Sequence, residues 1–341
     1  MLKEDGIPQG AKSLRDPVSN LLDIKGLLSY YFSTTDGLRR YSIVITVPGR
    51  ITERITFLGK FESCVYVVDG GEESVLLGGG LSYIVPDVVQ QLKDFGIEEK
   101  KIKKMFILHA HYDHSGIIPY FKKQWPWSEV ISSERGRELF SDPKISKVLA
   151  DLNHKAASGV GLMEKATREG FAFTGLEIER TVKGGDIIPC GDLTLEIIDA
   201  PGHSSCSIAI YIPQEKALFT SDSAGVCFGG QISPTANSNY DAYQQTLENL
   251  DKYDVEVVLP EHFGVATGDE ARTYIPRSIE ASRKERAMLE ESYRRTRNIE
   301  ESTEEITDIL VKETPAPFIP RAVRATVVSQ MLKFLAGTMD D

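Results

Sequence analysis

The 341-residue sequence contains no run of about 20 apolar residues, so nothing in it is suited to cross a bilayer as a helix. Its start, Met1-Leu2-Lys3-Glu4-Asp5-Gly6, is polar and mixed in charge and lacks the apolar centre of a secretion signal. Cysteine is scarce: Cys64, Cys190, Cys206 and Cys227 are scattered, with no CxxC pair and no dense framework. That spacing excludes a disulfide-stapled scaffold and points to a cytoplasmic protein. Cys206 and Cys227 read as small core residues. Positive charge is also short, 39 Lys and Arg against 50 Asp and Glu, for a formal net charge of −11. This argues against a nucleic-acid surface, because phosphate binding needs a concentrated basic face. No GxSxG segment is present to suggest a serine nucleophile on a strand-to-helix turn.

What remains is a patterned α/β chain. Residues 1–50 form an N-terminal extension whose one distinct feature is the run Leu27-Leu28-Ser29-Tyr30-Tyr31-Phe32. From Ile51, short β-branched segments (Arg54 to Leu58, Cys64 to Val68, Ser74 to Leu77) alternate with glycine-bearing turns. Val85, Val88, Val89 and Leu92 recur at helical spacing, and Met105 to Leu108 then reads as a strand running into His109. Residues 133–172 read as helices, with Leu149, Leu152 and Leu162 facing the core. Strands resume at Leu193 to Ile198, Ser207 to Ile212, Ala217 to Thr220 and Val255 to Leu259, with a helix from Tyr240 to Tyr253 between the last two. Two batches of strands, each alternating with helices, predict an α/β body over 51–269. Residues 270–341 read as a helical segment that covers the site or forms a dimer contact. Ser302 with Glu305 predicts a capping box there, and Val327, Val328, Met331, Leu332 and Leu335 form an apolar stripe.

The chemistry concentrates in Leu108-His109-Ala110-His111-Tyr112-Asp113-His114-Ser115-Gly116. Three imidazoles and a carboxylate within six residues, straight after a strand, are the donor types that hold zinc or non-haem iron. In extended chain alternate residues point the same way, so His109 and His111 can reach one ion together. The chain then turns, leaving Asp113 and His114 to face a second ion. His203, Asp222 and His262 each stand where a strand ends, in Pro201-Gly202-His203-Ser204, Thr220-Ser221-Asp222 and Pro260-Glu261-His262. Loops at strand ends are where ligand sites gather in α/β sheets. The sixth histidine, His154, reads as a helix-surface residue.

HxHxDH, then PGHS, then a strand-end Asp, then a late PxH resembles the dinuclear pattern of the metallo-β-lactamase superfamily over roughly residues 51–265. The resemblance implies an αβ/βα sandwich, two mixed sheets face to face with helices outside, in four layers, here with a C-terminal helical extension. It also implies that His109, His111 and His203 hold one metal, Asp113, His114 and His262 a second, and that Asp222 bridges them. Three departures accompany it. Glu261-His262-Phe263 stands for the more usual Gly-His-Gly, Ser221-Asp222 for Gly-Asp, and Leu77-Gly78-Gly79 where many relatives place an Asp before the glycines. The last puts in doubt a carboxylate behind the ligands.

The implied activity is hydrolysis of a small ester, thioester or lactone by a metal-bridging hydroxide, with two divalent ions (Zn or Fe, with Mn also open) and Asp113 orienting the nucleophile and passing its proton on. Flavodiiron oxygen reductases carry a Glu where this chain has His111, and the full histidine set instead resembles glyoxalase II, lactonases and metallo-thioesterases. Two other classes stay open: a persulfide dioxygenase-like iron oxidoreductase with one metal, and a regulatory module with structural metals. A small-molecule substrate entering beside the C-terminal helices would meet Tyr274, Arg277, Phe318 or Arg321. The runs at 27–32 and 327–335 suggest a homodimer, and burial against the chain's own core explains them equally well.

Overall fold

A computed structural model describes residues 43–313 and 320–340. Two seven-stranded sheets form its frame. The first has the order β2 (Gly49–Arg50), β3 (Ile55–Lys60), β4 (Ser63–Asp69), β5 (Ser74–Leu77), β6 (Ile102–Phe106), β7 (Glu129–Ser133) and β8 (Arg180–Val182). The second has the order β1 (Ile43–Ile45), β16 (Val265–Thr267), β15 (Val257–Leu259), β12 (Ala217–Phe219), β11 (Ile208–Ile212), β10 (Leu193–Asp199) and β9 (Ile187–Cys190). A separate hairpin pairs β13 (Val226–Phe228) with β14 (Gln231–Ser233). Residues 43–50 supply an edge strand to each sheet through β1 and β2.

The alternation of side chains along each strand builds the layers. On β4, Cys64, Tyr66 and Val68 face the second sheet, and Val65 and Val67 face outward. On β11, Ile208, Ile210 and Ile212 turn inward while Ala209 and Tyr211 turn out. Apart from Asp69 at the end of β4, every residue of both strands is therefore buried, as expected of strands covered on two faces. Three apolar cores result, one between the sheets and one on each outer face. The fold is an αβ/βα sandwich.

The helices outside are α1 (Val85–Asp94), α2 (Ile118–Gln124), α3 (Glu134–Ser141), α4 (Pro143–Gly159) and α5 (Met163–Glu169) over the first sheet. Over the second lie α6 (Tyr240–Leu250), α7 (Asp269–Thr296), α8 (Ile299–Glu313) and α9 (Arg321–Asp340). Ser133, Asp142 and Asn239 cap α3, α4 and α6 by accepting first-turn backbone N–H groups. Val328, Met331, Leu332 and Leu335 of α9 are buried in the core under the second sheet, so the C-terminal stripe is satisfied within the chain. The run at 27–32 lies outside the described residues. No helix among the described residues is long and apolar enough to cross a membrane.

Two local expectations are corrected. Leu152 is exposed, because α4 turns Leu149 and Asn153 inward and leaves Leu152 on its outer side. Ser302 lies inside α8 rather than at its start. Asn298 caps that helix through Oδ1, which accepts from the backbone of Glu300 and Glu301, and Ser302 instead bonds the Thr296 hydroxyl. Asn is among the best N-caps and sits where the chain leaves the left-handed turn at Arg297.

Topology delivers the site. β10, β11 and β12 are successively antiparallel and β12 is parallel to β15, so β10, β12 and β15 all run the same way. Their C-terminal loops emerge along one edge, carrying His203, Asp222 and His262. On the facing sheet β6 ends at Phe106 and releases the HxHxDH loop at the same edge, where the Ile208 N–H donates to the Leu108 carbonyl across the sandwich.

Candidate metal centre

The HxHxDH loop is shaped by its neighbours. Gly116 and Ile117 donate to the carbonyls of Gly80 and Gly79, stitching the loop to the chain after β5. Asn153 of α4 donates to the Tyr112 carbonyl and accepts from the Ser82 N–H, fixing both loops with one amide. The Ala110 N–H points at the Cys206 sulfur, 3.2 Å away, which gives that buried cysteine a structural task. Tyr112–His114 make a single 3-10 turn, and this changes the direction of the side chains after His111.

All seven residues singled out from the sequence converge. His109 Nε2, His111 Nδ1 and His203 Nε2 lie 3.0, 3.1 and 3.3 Å from one another. His114 Nε2 and His262 Nε2 are 3.1 Å apart, each with an Asp113 oxygen at 3.7 Å. Asp222 spans the two groups: one oxygen is 3.3 Å from His114 and 3.5 Å from His203, and the other is 3.7 Å from His262.

The outer ring nitrogens show what the inner ones present. His203 Nδ1 is 2.8 Å from the Thr235 carbonyl and His262 Nδ1 is 2.7 Å from the Glu62 carbonyl, so each carries its proton there. His109 Nδ1 faces the Ser221 hydroxyl at 3.1 Å. Burial pushes the pKa of His109 and His203 down, and burial with the neighbouring His203 pushes His111 down to about 4. Neutral rings in these tautomers aim bare lone pairs at one another across about 3 Å. That arrangement is repulsive unless a cation lies between them. Tetrahedral metal–nitrogen bonds of about 2.0–2.1 Å put nitrogens ~3.3 Å apart, close to the spacing seen here.

The second group has the opposite electrostatics. Burial alone would lower His114, but Glu261, Asp222 and Asp113 outweigh it and hold the ring well above its ordinary value. Asp222 is held far below the usual carboxylate range against its own burial, by His114 and His262. Its Oδ1 is buried without a hydrogen-bond donor, which costs roughly 1–3 kcal/mol in a folded protein. A divalent ion would remove that cost. By chemistry, burial and spacing, the residues present fit metal ions.

Sequence reading missed the role of Glu261. It is 3% exposed, and it brings behind the site the carboxylate that Leu77 fails to provide. Oε1 accepts from the Gly79 N–H at 3.2 Å, Oε2 accepts from the Ser221 hydroxyl, and His114 Nδ1 lies 3.0 Å from Oε2, off the ideal hydrogen-bond line. Gly78, at φ +84°, has no side chain to block it: a Cβ there would sit 2.5 Å from Oε1. Ser221 and Phe263, the residues that replace glycines of the more usual pattern, hold φ +47° and +63°. Each such left-handed non-glycine residue costs about 1–3 kcal/mol. The sequence signal was those substitutions together with Glu261 itself, which stands in place of the glycine before His262.

Phe263 adds a second feature. Its ring lies 5.3 Å from Phe61 and 5.7 Å from Phe228, with Phe61 and Phe228 6.3 Å apart and His262 5.7 Å from Phe263. Rings from the β3–β4 turn, the β13–β14 hairpin and the His262 loop thus gather beside the second histidine pair.

Of the four candidate substrate contacts, three have partners within the chain. Tyr274 is buried and donates to the Gly225 carbonyl. Arg277 binds Glu270 at 2.8 Å and the Gly230 carbonyl, which ties α7 to the β13–β14 hairpin. Arg321 pairs with Glu304 and Asp308 between α8 and α9. Phe318 lies outside the described residues. His154 Nε2 sits 3.0 Å from the Phe173 carbonyl.

The family model described as the metallo-beta-lactamase superfamily matches residues 58–262. A metallo-beta-lactamase fold-containing protein of Sulfurisphaera tokodaii is 25% identical over 211 residues, which are 60% of this chain and 73% of that protein. An acyl-coenzyme A thioesterase of Gallus gallus is 30% identical over 168 residues, 46% of this chain and 55% of that protein. A hydroxyacylglutathione hydrolase of Legionella pneumophila is 23% identical over 212 residues, 57% of this chain and 63% of that protein. Among solved structures, a metallo-beta-lactamase family protein from Thermus thermophilus superposes with a TM-score of 0.54 at 16% identity, covering 87% of this chain and 93% of its own. An archaeal superfamily protein from Sulfolobus tokodaii gives 0.51 at 20% identity, covering 70% and 87%. At these identities the superpositions speak for the fold alone.

Proposed function

The chain belongs to the metallo-β-lactamase superfamily, and from that premise we propose that it is a metal-dependent hydrolase whose preferred substrates are acyl thioesters. The observation that carries the reading is the convergence of two donor groups on one carboxylate, Asp222, at the mouth of the sandwich. His109, His111 and His203 would hold one ion, Asp113, His114 and His262 a second, with Asp222 between them. Zinc, iron and manganese all suit this nitrogen-and-oxygen set. Two such ions would bring the pKa of water toward neutrality and polarise the acyl carbonyl.

The chain's own residues supply the rest. Asp113 is the most exposed carboxylate of the group, 22% accessible on its side chain, so it can take the proton of the attacking water and return it to the leaving group. Carbonyl partners at Thr235 and Glu62 keep His203 and His262 in the tautomer that leaves Nε2 free to bind. The acyl-coenzyme A thioesterase relative supports a thioester over a lactone. The second donor group converges nearly as closely as the first, so no observation favours a mononuclear iron oxidoreductase.

The test is metal content per chain by mass spectrometry on protein purified without chelator, paired with turnover of acyl-CoA thioesters, aryl esters and lactones. Two ions per chain are expected, with thioester hydrolysis that falls more than about 100-fold in His111→Ala, since even outer partners of ligands are worth 10–100-fold. One iron per chain with oxygen uptake on a persulfide would replace the proposal with a dioxygenase.

A further inference from the structure

Glu261 reaches both halves of the centre. From the geometry we infer that Glu261 couples the two metal positions, so that both are loaded or lost together through this one carboxylate. The inference rests on the metal-centre reading above and adds to it a positioning residue that touches neither ion.

The path to the first position runs through Ser221. His109 Nε2 faces His111 and His203, so Nδ1 carries the proton and donates it to Ser221 Oγ at 3.1 Å. Having accepted there, the serine hydroxyl has a single hydrogen to give, and it gives it to Glu261 Oε2. The path to the second position is direct. His114 Nε2 faces His262 and Asp222, which leaves Nδ1 toward the same Oε2, 3.0 Å away. One oxygen atom thus faces His114 of the second donor group by charge and, through the Ser221 hydroxyl, His109 of the first. The Gly79 N–H holds the other oxygen, and the backbone N–H of Cys64 holds the Glu261 carbonyl at 2.8 Å, so both the side chain and the main chain of Glu261 are held.

The backbone gives a second, independent indication. Ser221 keeps a left-handed conformation that glycine would occupy without strain, and Gly78 leaves room for Oε1 that any larger residue would fill. A serine retained under strain beside a glycine that makes way for its partner is accounted for by the hydroxyl that links His109 to Glu261.

The experiment is a titration of the metal-free full chain with Co(II), followed by visible absorption and by competition against a chelator. Glu261→Gln, Ser221→Ala and Ser221→Gly are compared with the unaltered chain, and circular dichroism and thermal melts report folding. Glu261→Gln is expected to weaken both cobalt ions by roughly 10–100-fold and to flatten any cooperativity between them. Ser221→Ala and Ser221→Gly should weaken the first ion more than the second, and Ser221→Gly should melt higher than Ser221→Ala because it relieves the strain. A folded Glu261→Gln chain that binds both ions as the unaltered chain does, or that loses one alone, overturns the coupling and leaves the metal centre standing. An unaltered chain that takes up no cobalt overturns both. If Glu261→Gln does not fold, the serine variants decide: undiminished first-ion affinity in both overturns the path through Ser221.

Discussion

Gly202 stands immediately before His203 at φ +123°, and a Cβ there would collide with the backbone nitrogen of Tyr243. Its carbonyl accepts from the N–H groups of Ser238 and Asn239, so the PGHS turn and the start of α6 are pressed together at this one residue. Gly202→Ala is expected to destabilise the chain by about 2–4 kcal/mol, combining backbone strain with overpacking, and to lower metal content by displacing His203. Urea unfolding with metal analysis on the same samples checks this; an unchanged midpoint would show that the turn can yield. At this scale HxHxDH was legible, because its donors sit within six residues and the strand before them has a clear pattern. Glu261 was not. Its partners are Gly79, 182 positions away, and Ser221, 40 positions away, and no local periodicity records such pairings.

Among the elements, α7 carries an unusual burden. Glu285 is 6% exposed on its inner face, near Tyr240 and Arg324, and burial pushes its pKa from 4.5 up to about 8 against the opposing pull of Arg324. The folded chain therefore keeps a proton between pH 4.5 and about 8 that the unfolded chain has released. Stability from this group is full below the unfolded value and falls as pH rises through that window. Glu285→Gln should remove that slope and leave the chain more stable than the original near pH 8, by a few kcal/mol at most, as denaturant midpoints from about pH 5 to about pH 8 would record. A Glu285→Gln chain with the same slope would trace the dependence to other groups. Element existence was readable where a face is apolar throughout, as in β4, β5, β10, β11 and α1. Shorter pieces escaped: β8, β9, β16 and the β13–β14 hairpin have three or four residues per strand, and they are set by pairing rather than by composition.

For the whole molecule, the sandwich was legible through the resemblance its motifs carry, and the layering itself follows from two batches of strands. The donor loops rise from the same edge of both sheets, so bound ions should stabilise the folded chain as a unit. Chelator-treated protein is expected to melt a few degrees below loaded protein, with one transition in each case, because an ion at 100 times its dissociation constant adds about 2.7 kcal/mol. That difference should shrink as pH falls toward about 4, where a proton begins to compete with metal for His111. A calorimetric trace with two transitions would instead assign the ions to one sheet.

Each donor group draws on both sheets: His109 and His111 with His203, Asp113 and His114 with His262. Neither half of the sequence owns a complete set. A complete donor set therefore exists only once the sheets have met, driven together by the apolar core between them. Over the course of refolding, full-affinity ion uptake is expected to be a timestamp for the moment the two halves close.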